Sequence, residues 1–131
     1  MGSVVVDTDV VSYLLKSDSR AESYRKILDG RTLLLSFMTV AELYQWAYSR
    51  NWGRERILSM ESVLRNYVIV PYNYRICQIW AKVMTQRRKA GSQISCNDAW
   101  VASTALLYSC PLITNNNNDF QGIDGLIVIS A

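Results

Sequence analysis

Five acidic side chains stand where predicted strands end or where the helices after them begin. Burying an ionised carboxylate is unfavourable unless a partner compensates its charge, and carboxylates gathered at one place repel each other. Carboxylate oxygens are the ligands that Mg²⁺ and Mn²⁺ prefer, and such an ion can polarise a phosphoryl oxygen and activate a water molecule. The pattern therefore predicts a divalent-cation site with hydrolytic chemistry, built from Asp7, Asp9, Glu42, Asp98 and Asp119.

The composition removes most other catalytic sites. The chain of 131 residues contains no histidine, which excludes Ser-His-Asp triads, Cys-His pairs and the usual zinc centres. Half of the residues are hydrophobic and the net charge is +3, as in a folded protein that can accept a polyanionic partner without requiring one. We expect a single domain over residues 1–131.

Cysteine usage and hydropathy bear on location. Three widely spaced cysteines, Cys77, Cys96 and Cys110, favour reduced thiols over a disulfide framework. No apolar run approaches the roughly 18–20 residues of a membrane span. We therefore expect a cytoplasmic protein without a membrane partner.

Short apolar strands alternate with helices along the chain. Strands are predicted at 3–7, 32–37, 67–71, 111–114 and 126–130, and helices at about 9–16, 20–29, 39–49, 54–65, 74–89 and from near 97. This alternation predicts an α/β fold, a parallel five-stranded sheet with helices on both faces. Ligands bind such sheets beyond the carboxyl ends of the strands, where the five acids are expected to meet.

Helix capping offers a simpler account of some of these acids. Asp9 is placed to cap the first helix, and Thr39 with Glu42 has the spacing of a capping box. Asp98 also lies in a predicted first helical turn, where a carboxylate is favoured by the helix dipole. Asp7 is not explained in this way because it ends a buried strand. The complete set favours a site.

Four motifs in order give the chain a family resemblance. They are "VVVDTDVVSYLL", "LSFMTVAELYQWA", "ISCNDAWVASTALLYSCPLIT" and "TNNNNDFQGIDGLIVI". Together they resemble the PIN-domain nucleases, and among them the VapC-type ribonuclease toxins. The resemblance implies a PIN-like domain with Asp7, Glu42 and Asp98 as catalytic, metal-binding acids. It also implies Mg²⁺- or Mn²⁺-dependent hydrolysis of RNA phosphodiester bonds, a cognate antitoxin and a homodimer.

The fourth motif departs from the pattern of many PIN domains. Asn116 stands where those proteins have an aspartate, and the next acid is Asp119. The fourth position is therefore either the catalytic acid Asp119 or a neutral metal ligand, Asn116. Neighbouring polar residues are expected to donate hydrogen bonds to the metal ligands and so to orient them. These supporting residues are Thr8, Asp9, Ser36, Thr39, Asn97 and Thr114.

Two other functions remain open. "DTDVV" after a strand also fits the nucleophile motif of haloacid dehalogenase-like phosphatases, although no lysine follows Pro111. The alternative of a catalytically weak PIN-like module that binds RNA or protein is suggested by Asn116. Contacts to RNA phosphates, which a nuclease and an RNA-binding module both require, are expected from cations near helix ends. The candidates are Arg50, Arg54, Arg56 and residues 86–89.

Overall fold

Five parallel strands form one sheet in a computed structural model that describes residues 2–131. The strands are β1 (Ser3–Val6), β2 (Thr32–Ser36), β3 (Val68–Val70), β4 (Leu112–Ile113) and β5 (Val128–Ile129). Their order across the sheet is β3-β2-β1-β4-β5. The predicted parallel five-stranded sheet is confirmed. Each strand is shorter than the apolar run from which it was predicted.

Within residues 2–131, six α-helices connect the strands. They are α1 (Thr8–Lys16), α2 (Ala21–Leu28), α3 (Phe37–Ser49), α4 (Arg54–Leu64), α5 (Tyr74–Lys89) and α6 (Cys96–Leu107). A short 3-10 turn, Asn117–Phe120, follows β4. None of these helices, within residues 2–131, is long and apolar enough to cross a membrane.

Two hydrophobic cores lie on opposite faces of the sheet. Val4 and Val6 of β1 belong to a core that also contains Leu43 of α3, whereas Val5 belongs to a core with Ala102 of α6. Adjacent strand residues point to opposite faces, so a strand covered on both sides is apolar throughout. This explains the unbroken valine run of β1.

Serine and aspartate caps define where three helices begin. Asp7, not Asp9, is the N-cap of α1, since its carboxylate accepts a hydrogen bond from the Thr8 amide. Ser36 caps α3 by accepting from Met38 N, so the predicted capping box of Thr39 and Glu42 is wrong. Similarly, Ser95 starts α6 just before the predicted position. Each of these helices begins directly after a residue whose short side chain accepts a hydrogen bond from an amide of the first turn.

The sheet register brings the ends of three strands together. β1 pairs with β2 through Val5 and Leu34, and with β4 through Val6 and Ile113. Asp7 therefore lies level with Ser36 on one side and Thr114 on the other. This edge of the sheet is called the carboxyl rim below.

Replacing Leu43 tests how much the packing of the core beneath the carboxyl rim stabilises the fold. It is fully buried, and replacing it with alanine removes buried methyl groups and leaves a cavity. We expect Leu43→Ala to lower the free energy of unfolding by about 2–5 kcal/mol in urea titrations. Leu58→Ala is the matched control because Leu58 is 49% exposed, and a comparable loss there would contradict this description of the core.

Candidate metal centre

Asp7 is a buried carboxylate at the centre of the carboxyl rim. Only 5% of the surface of this residue is exposed to solvent. Oδ1 accepts a hydrogen bond from the Thr8 amide (2.8 Å), and Oδ2 accepts one from the Thr114 hydroxyl (2.8 Å). Both oxygens are therefore fixed in direction by neighbouring strands and by the start of α1.

Burial raises the pKa of Asp7 to about 7. That value includes smaller contributions from the negative charges of Asp9 and Asp98, which raise the pKa, and from the hydrogen bonds of Thr114 and Thr8, which lower it. A carboxylate in this position is unfavourable without a compensating positive charge.

Glu42 and Asp98 approach the rim from two different helices. Glu42 Oε1 accepts from the Thr8 hydroxyl (2.9 Å), and its Oε2 accepts from Asn97 Nδ2 (3.4 Å). The pKa of Asp98 is raised mainly by burial and also by the negative charges of Asp119, Glu42 and Asp9. The predicted acids therefore act on one another electrostatically, as expected if they share one site.

The supporting residues predicted from the sequence surround these acids. The Thr8 hydroxyl lies 3.0 Å from that of Thr39, which is fully buried inside α3. Asp9 lies in the first turn of α1, where its Oδ1 accepts from Val10 N (2.7 Å) and its Oδ2 from Asn115 N (3.0 Å). Burial raises the pKa of Asp9 as well. Ser36 contributes only as the cap of α3.

The asparagine run places Asn116 and Asp119 differently. The Asn116 amide donates to the Thr114 hydroxyl (3.0 Å), and its carbonyl accepts from the Asp119 amide (3.1 Å). Asn116 thus shapes the turn through its backbone. Asp119 is exposed, yet its charge raises the pKa of Asp98.

Sequence reasoning missed a hydrogen-bonded group behind Asp9. Asn115 Oδ1 accepts from the Tyr24 hydroxyl (2.8 Å), and Asn115 Nδ2 donates to the Tyr13 hydroxyl (3.2 Å). Arg20 lies over the Tyr13 ring at 3.8 Å and is paired with Asp18. Asn115 is about ninety positions or more from both tyrosines along the chain, so no local pattern could have identified this group.

The donor chemistry fits a hard divalent cation, although the acids are not assembled as a cage. Among residues 2–131 there is no cluster of three or more His, Cys, Asp or Glu side chains already close enough to hold a metal ion. Thr8 and Asn97 donate to the two oxygens of Glu42. A carboxylate oxygen has more than one acceptor position, so Glu42 can keep these donors and still bind an ion.

Three of the six cations predicted to contact RNA have side-chain partners within the protein, namely Arg50, Arg56 and Arg87. Arg50 lies over the Trp46 ring at 5.2 Å, and Arg56 lies over Trp52 at 3.9 Å. Arg87 donates to the carbonyl of Gly122 (3.0 Å). Gly122 has a φ of +77°, a conformation that favours glycine, and a β carbon there would displace the end of the Arg87 side chain.

Residues 4–126 match the PIN domain family. The chain belongs to the PIN-domain family. Among its relatives, Ribonuclease VapC1 of Haemophilus influenzae (strain R2866) is 32% identical over 124 residues, which are 93% of this chain and 92% of the relative. Membership favours the nuclease interpretation of the Asp7 motif over the phosphatase interpretation.

Solved structures agree with this assignment. VapBC-1 from nontypeable Haemophilus influenzae has a TM-score of 0.84 and 30% identity, over 98% of this chain and 97% of that chain. VapBC2 from Rickettsia felis, bound to a DNA fragment from its promoter, has a TM-score of 0.86 over 98% of both chains. Its identity is 21%, so this second likeness concerns the fold of the PIN domain.

The Asp7→Asn variant tests how far the buried charge of Asp7 destabilises the folded chain. The measurement is made in EDTA so that no metal ion compensates that charge. The pKa of Asp7 is raised from 3.8 to about 7, so the folded chain loses stability as the pH rises through this interval. We expect Asp7→Asn to increase the free energy of unfolding by up to about 4 kcal/mol at pH 8, with a gain that shrinks towards pH 4. Urea titrations across this pH range measure the difference.

The control for this prediction is Asp124→Asn, because Asp124 is exposed. It should show no comparable pH-dependent gain. A gain for Asp7→Asn that is the same at pH 4 and pH 8 would contradict the electrostatic explanation.

Proposed function

We propose that this PIN-domain protein is an endoribonuclease of the VapC type that hydrolyses RNA phosphodiester bonds with Mg²⁺ or Mn²⁺. The observation that carries the proposal is the buried Asp7 carboxylate, which faces the negative charges of Asp9 and Asp98 at the carboxyl rim. The name of the 32% identical relative, Ribonuclease VapC1, supports RNA as the substrate.

The acids have separate roles in this proposal. Asp7, Glu42 and Asp98 hold the cation, and Asp119 or Asn116 completes the site. A bound Mg²⁺ or Mn²⁺ supplies positive charge that polarises a phosphoryl oxygen and lowers the pKa of water. Because the chain has no histidine, a carboxylate has to accept the proton from the attacking water.

Neutral residues orient these acids. Thr114 and the Thr8 amide fix the two oxygens of Asp7, so its direction is set before the ion binds. The Thr8 hydroxyl and Asn97 hold Glu42 near the rim. Groups that orient metal ligands in this way contribute about 10–100-fold to metal affinity or activity.

We further propose that the protein is the toxin of a toxin–antitoxin pair, acts in the cytoplasm and forms a homodimer. The likeness to VapBC-1, at 30% identity, supports an antitoxin as the protein partner. The homodimer and the cytoplasmic location rest on the family resemblance and on the free cysteines Cys77, Cys96 and Cys110.

A catalytically weak PIN-like module that binds RNA or protein is the second candidate. Asn116 in place of an acid favours it, as does the lack of a preassembled three-acid cluster within residues 2–131. The two candidates differ in whether a cation makes the rim competent for cleavage.

RNA cleavage separates the two candidates. Purified protein is incubated with structured RNAs in Mn²⁺ or Mg²⁺, with EDTA as the metal-free control, and products are resolved on gels. We expect cleavage with metal only. We also expect Asp7→Asn and Asp98→Asn each to lower the rate by about 100-fold or more, because each removes a charged metal ligand.

Asp124→Asn is the matched control for these two variants and should cleave as the unmodified chain does. Cleavage that persists in EDTA would contradict a metal-dependent mechanism. Absence of both cleavage and calorimetric metal binding would favour the binding module.

Calorimetry with Mn²⁺ tests whether Asp119 or Asn116 is the fourth ligand of the proposed site. The charge of Asp119 acts on Asp98, whereas Asn116 contacts the site through its backbone. We therefore expect Asp119→Asn to weaken Mn²⁺ binding by about tenfold, equivalent to roughly 1.4 kcal/mol, and Asn116→Ala to change it less. The reverse order would identify the Asn116 amide oxygen as the ligand.

A further inference from the structure

Arg20 is connected to the carboxyl rim from the segment that joins α1 to α2. Its guanidinium covers the Tyr13 ring at 3.8 Å, and Nη1 donates to the Tyr13 hydroxyl (3.0 Å). That hydroxyl also accepts from Asn115 Nδ2 (3.2 Å), and the main-chain amide of Asn115 donates to Asp9 (3.0 Å). Consecutive hydrogen bonds therefore link Arg20 to an acid of the rim. Its positive charge also lowers the pKa of Asp9, against the larger effect of burial.

Asp18 holds the Arg20 side chain in this position. Its Oδ1 accepts from the main-chain amide (3.0 Å) and from Nε (2.9 Å) of Arg20, and its Oδ2 accepts from Nη2 (3.0 Å). A planar guanidinium that is bound by a carboxylate on one edge and stacked on a ring loses little further freedom when it binds a ligand. Arg20 is therefore pre-organised, although 52% of its side chain is exposed.

Part of the Arg20 guanidinium remains available to a ligand. Each terminal nitrogen of a guanidinium carries two hydrogens, and Nη1 and Nη2 each donate one hydrogen bond within the protein. Within residues 2–131, the second hydrogen on each of these nitrogens has no acceptor. A fixed positive charge with two spare donors suits the oxygens of a phosphate group.

RNA that reaches the carboxyl rim brings several phosphates close to the acids. Compensation by a bound divalent cation concerns the phosphodiester that is cut, whereas the neighbouring phosphates still face Asp9. Because like charges repel at short range, a neighbouring phosphate needs a cation of its own. Arg50, Arg56 and Arg87 contact other parts of the protein, whereas Arg20 is linked to the rim itself.

We propose that Arg20 binds a phosphate next to the one that is cleaved and so positions the RNA at the carboxyl rim. This inference rests on the proposed ribonuclease function and adds a substrate-binding residue to it. Contacts to phosphate oxygens position the RNA without reading its base sequence. Asp18 and Tyr13 act through Arg20, because they fix the direction of its guanidinium.

The test compares the unmodified chain with Arg20→Gln and Arg20→Lys on a short RNA cut at one mapped position in Mn²⁺. Both kcat and KM are measured over a range of salt concentrations. In further substrates, one linkage near the cut is replaced by a neutral methylphosphonate on a 2′-deoxy sugar, with an ordinary phosphate on the same sugar as reference. Arg25→Gln is the matched control, because the Arg25 side chain is 50% exposed and paired with Glu22 farther along α2.

We expect Arg20→Gln to raise KM by about tenfold with little change in kcat, since a flanking phosphate is held equally before and during the reaction. The plot of log(kcat/KM) against log salt should become shallower by about 0.7, the change for one phosphate contact to a single strand. Arg20→Lys, which keeps the charge, should recover the salt dependence and part of the affinity. Arg25→Gln should match the unmodified chain.

The methylphosphonate substrates locate the contact. At one position the neutral linkage should lower kcat/KM for the unmodified chain and have no effect on Arg20→Gln, because the charge it removes no longer has a partner. Should Arg20→Gln fail to fold, Tyr13→Phe serves as the second variant. It keeps the ring but removes the hydroxyl that accepts from Nη1, so it should lose part of the effect at the same position.

Three results would overturn this role of Arg20. Unchanged KM and salt dependence in Arg20→Gln, with normal cleavage, would remove the phosphate contact and leave the ribonuclease proposal in place. Lower stability of Arg20→Gln in urea, with every methylphosphonate effect retained, would show that Arg20 only fixes the segment between α1 and α2. Absence of cleavage by the unmodified chain would reject the ribonuclease proposal and the phosphate contact with it.

Discussion

The structure depends on the burial of one carboxylate among others of the same charge. Asp7 ends the central strand, is almost inaccessible to solvent, and has a pKa raised to about 7 by that burial and by Asp9. Neutral donors from Thr8 and Thr114 hold it without cancelling its charge. A fold that keeps such an arrangement gives up stability near neutral pH, which a bound cation can restore. Stability and the proposed chemistry therefore meet in the same side chain.

The parallel sheet makes this arrangement possible. Strands that run in one direction end at one edge, so residues far apart in the chain meet there. Asp7 caps α1 and also faces the rim. Helix capping is compatible with the proposed metal binding, because Oδ1 and Oδ2 each accept one hydrogen bond and keep further acceptor capacity.

Sequence reasoning was accurate where the pattern was long and local. The strand–helix alternation predicted the sheet, and the bounds of α5 agree with the predicted 74–89. It failed at helix starts, where Asp9 and Thr39 were assigned capping roles that Asp7 and Ser36 perform. A cap depends on the backbone conformation at one residue, and several polar residues in a row satisfy the same pattern. The choice among them follows from where the strand stops.

The sequence by itself determined the parallel fold, the absence of histidine and which acidic residues follow the strands, because periodicity and residue type are local properties. Tertiary structure decided how those acids are held. The hydrogen bond from the Asn115 amide to Asp9 joins residues 106 positions apart, and contacts among the rings of Phe37, Trp80 and Trp100 join α3, α5 and α6. Such contacts depend on sheet register and helix packing, which no short window of sequence contains. The position of Glu42 was likewise set by tertiary contacts, since its oxygens accept from Thr8, 34 positions away, and from Asn97, 55 positions away.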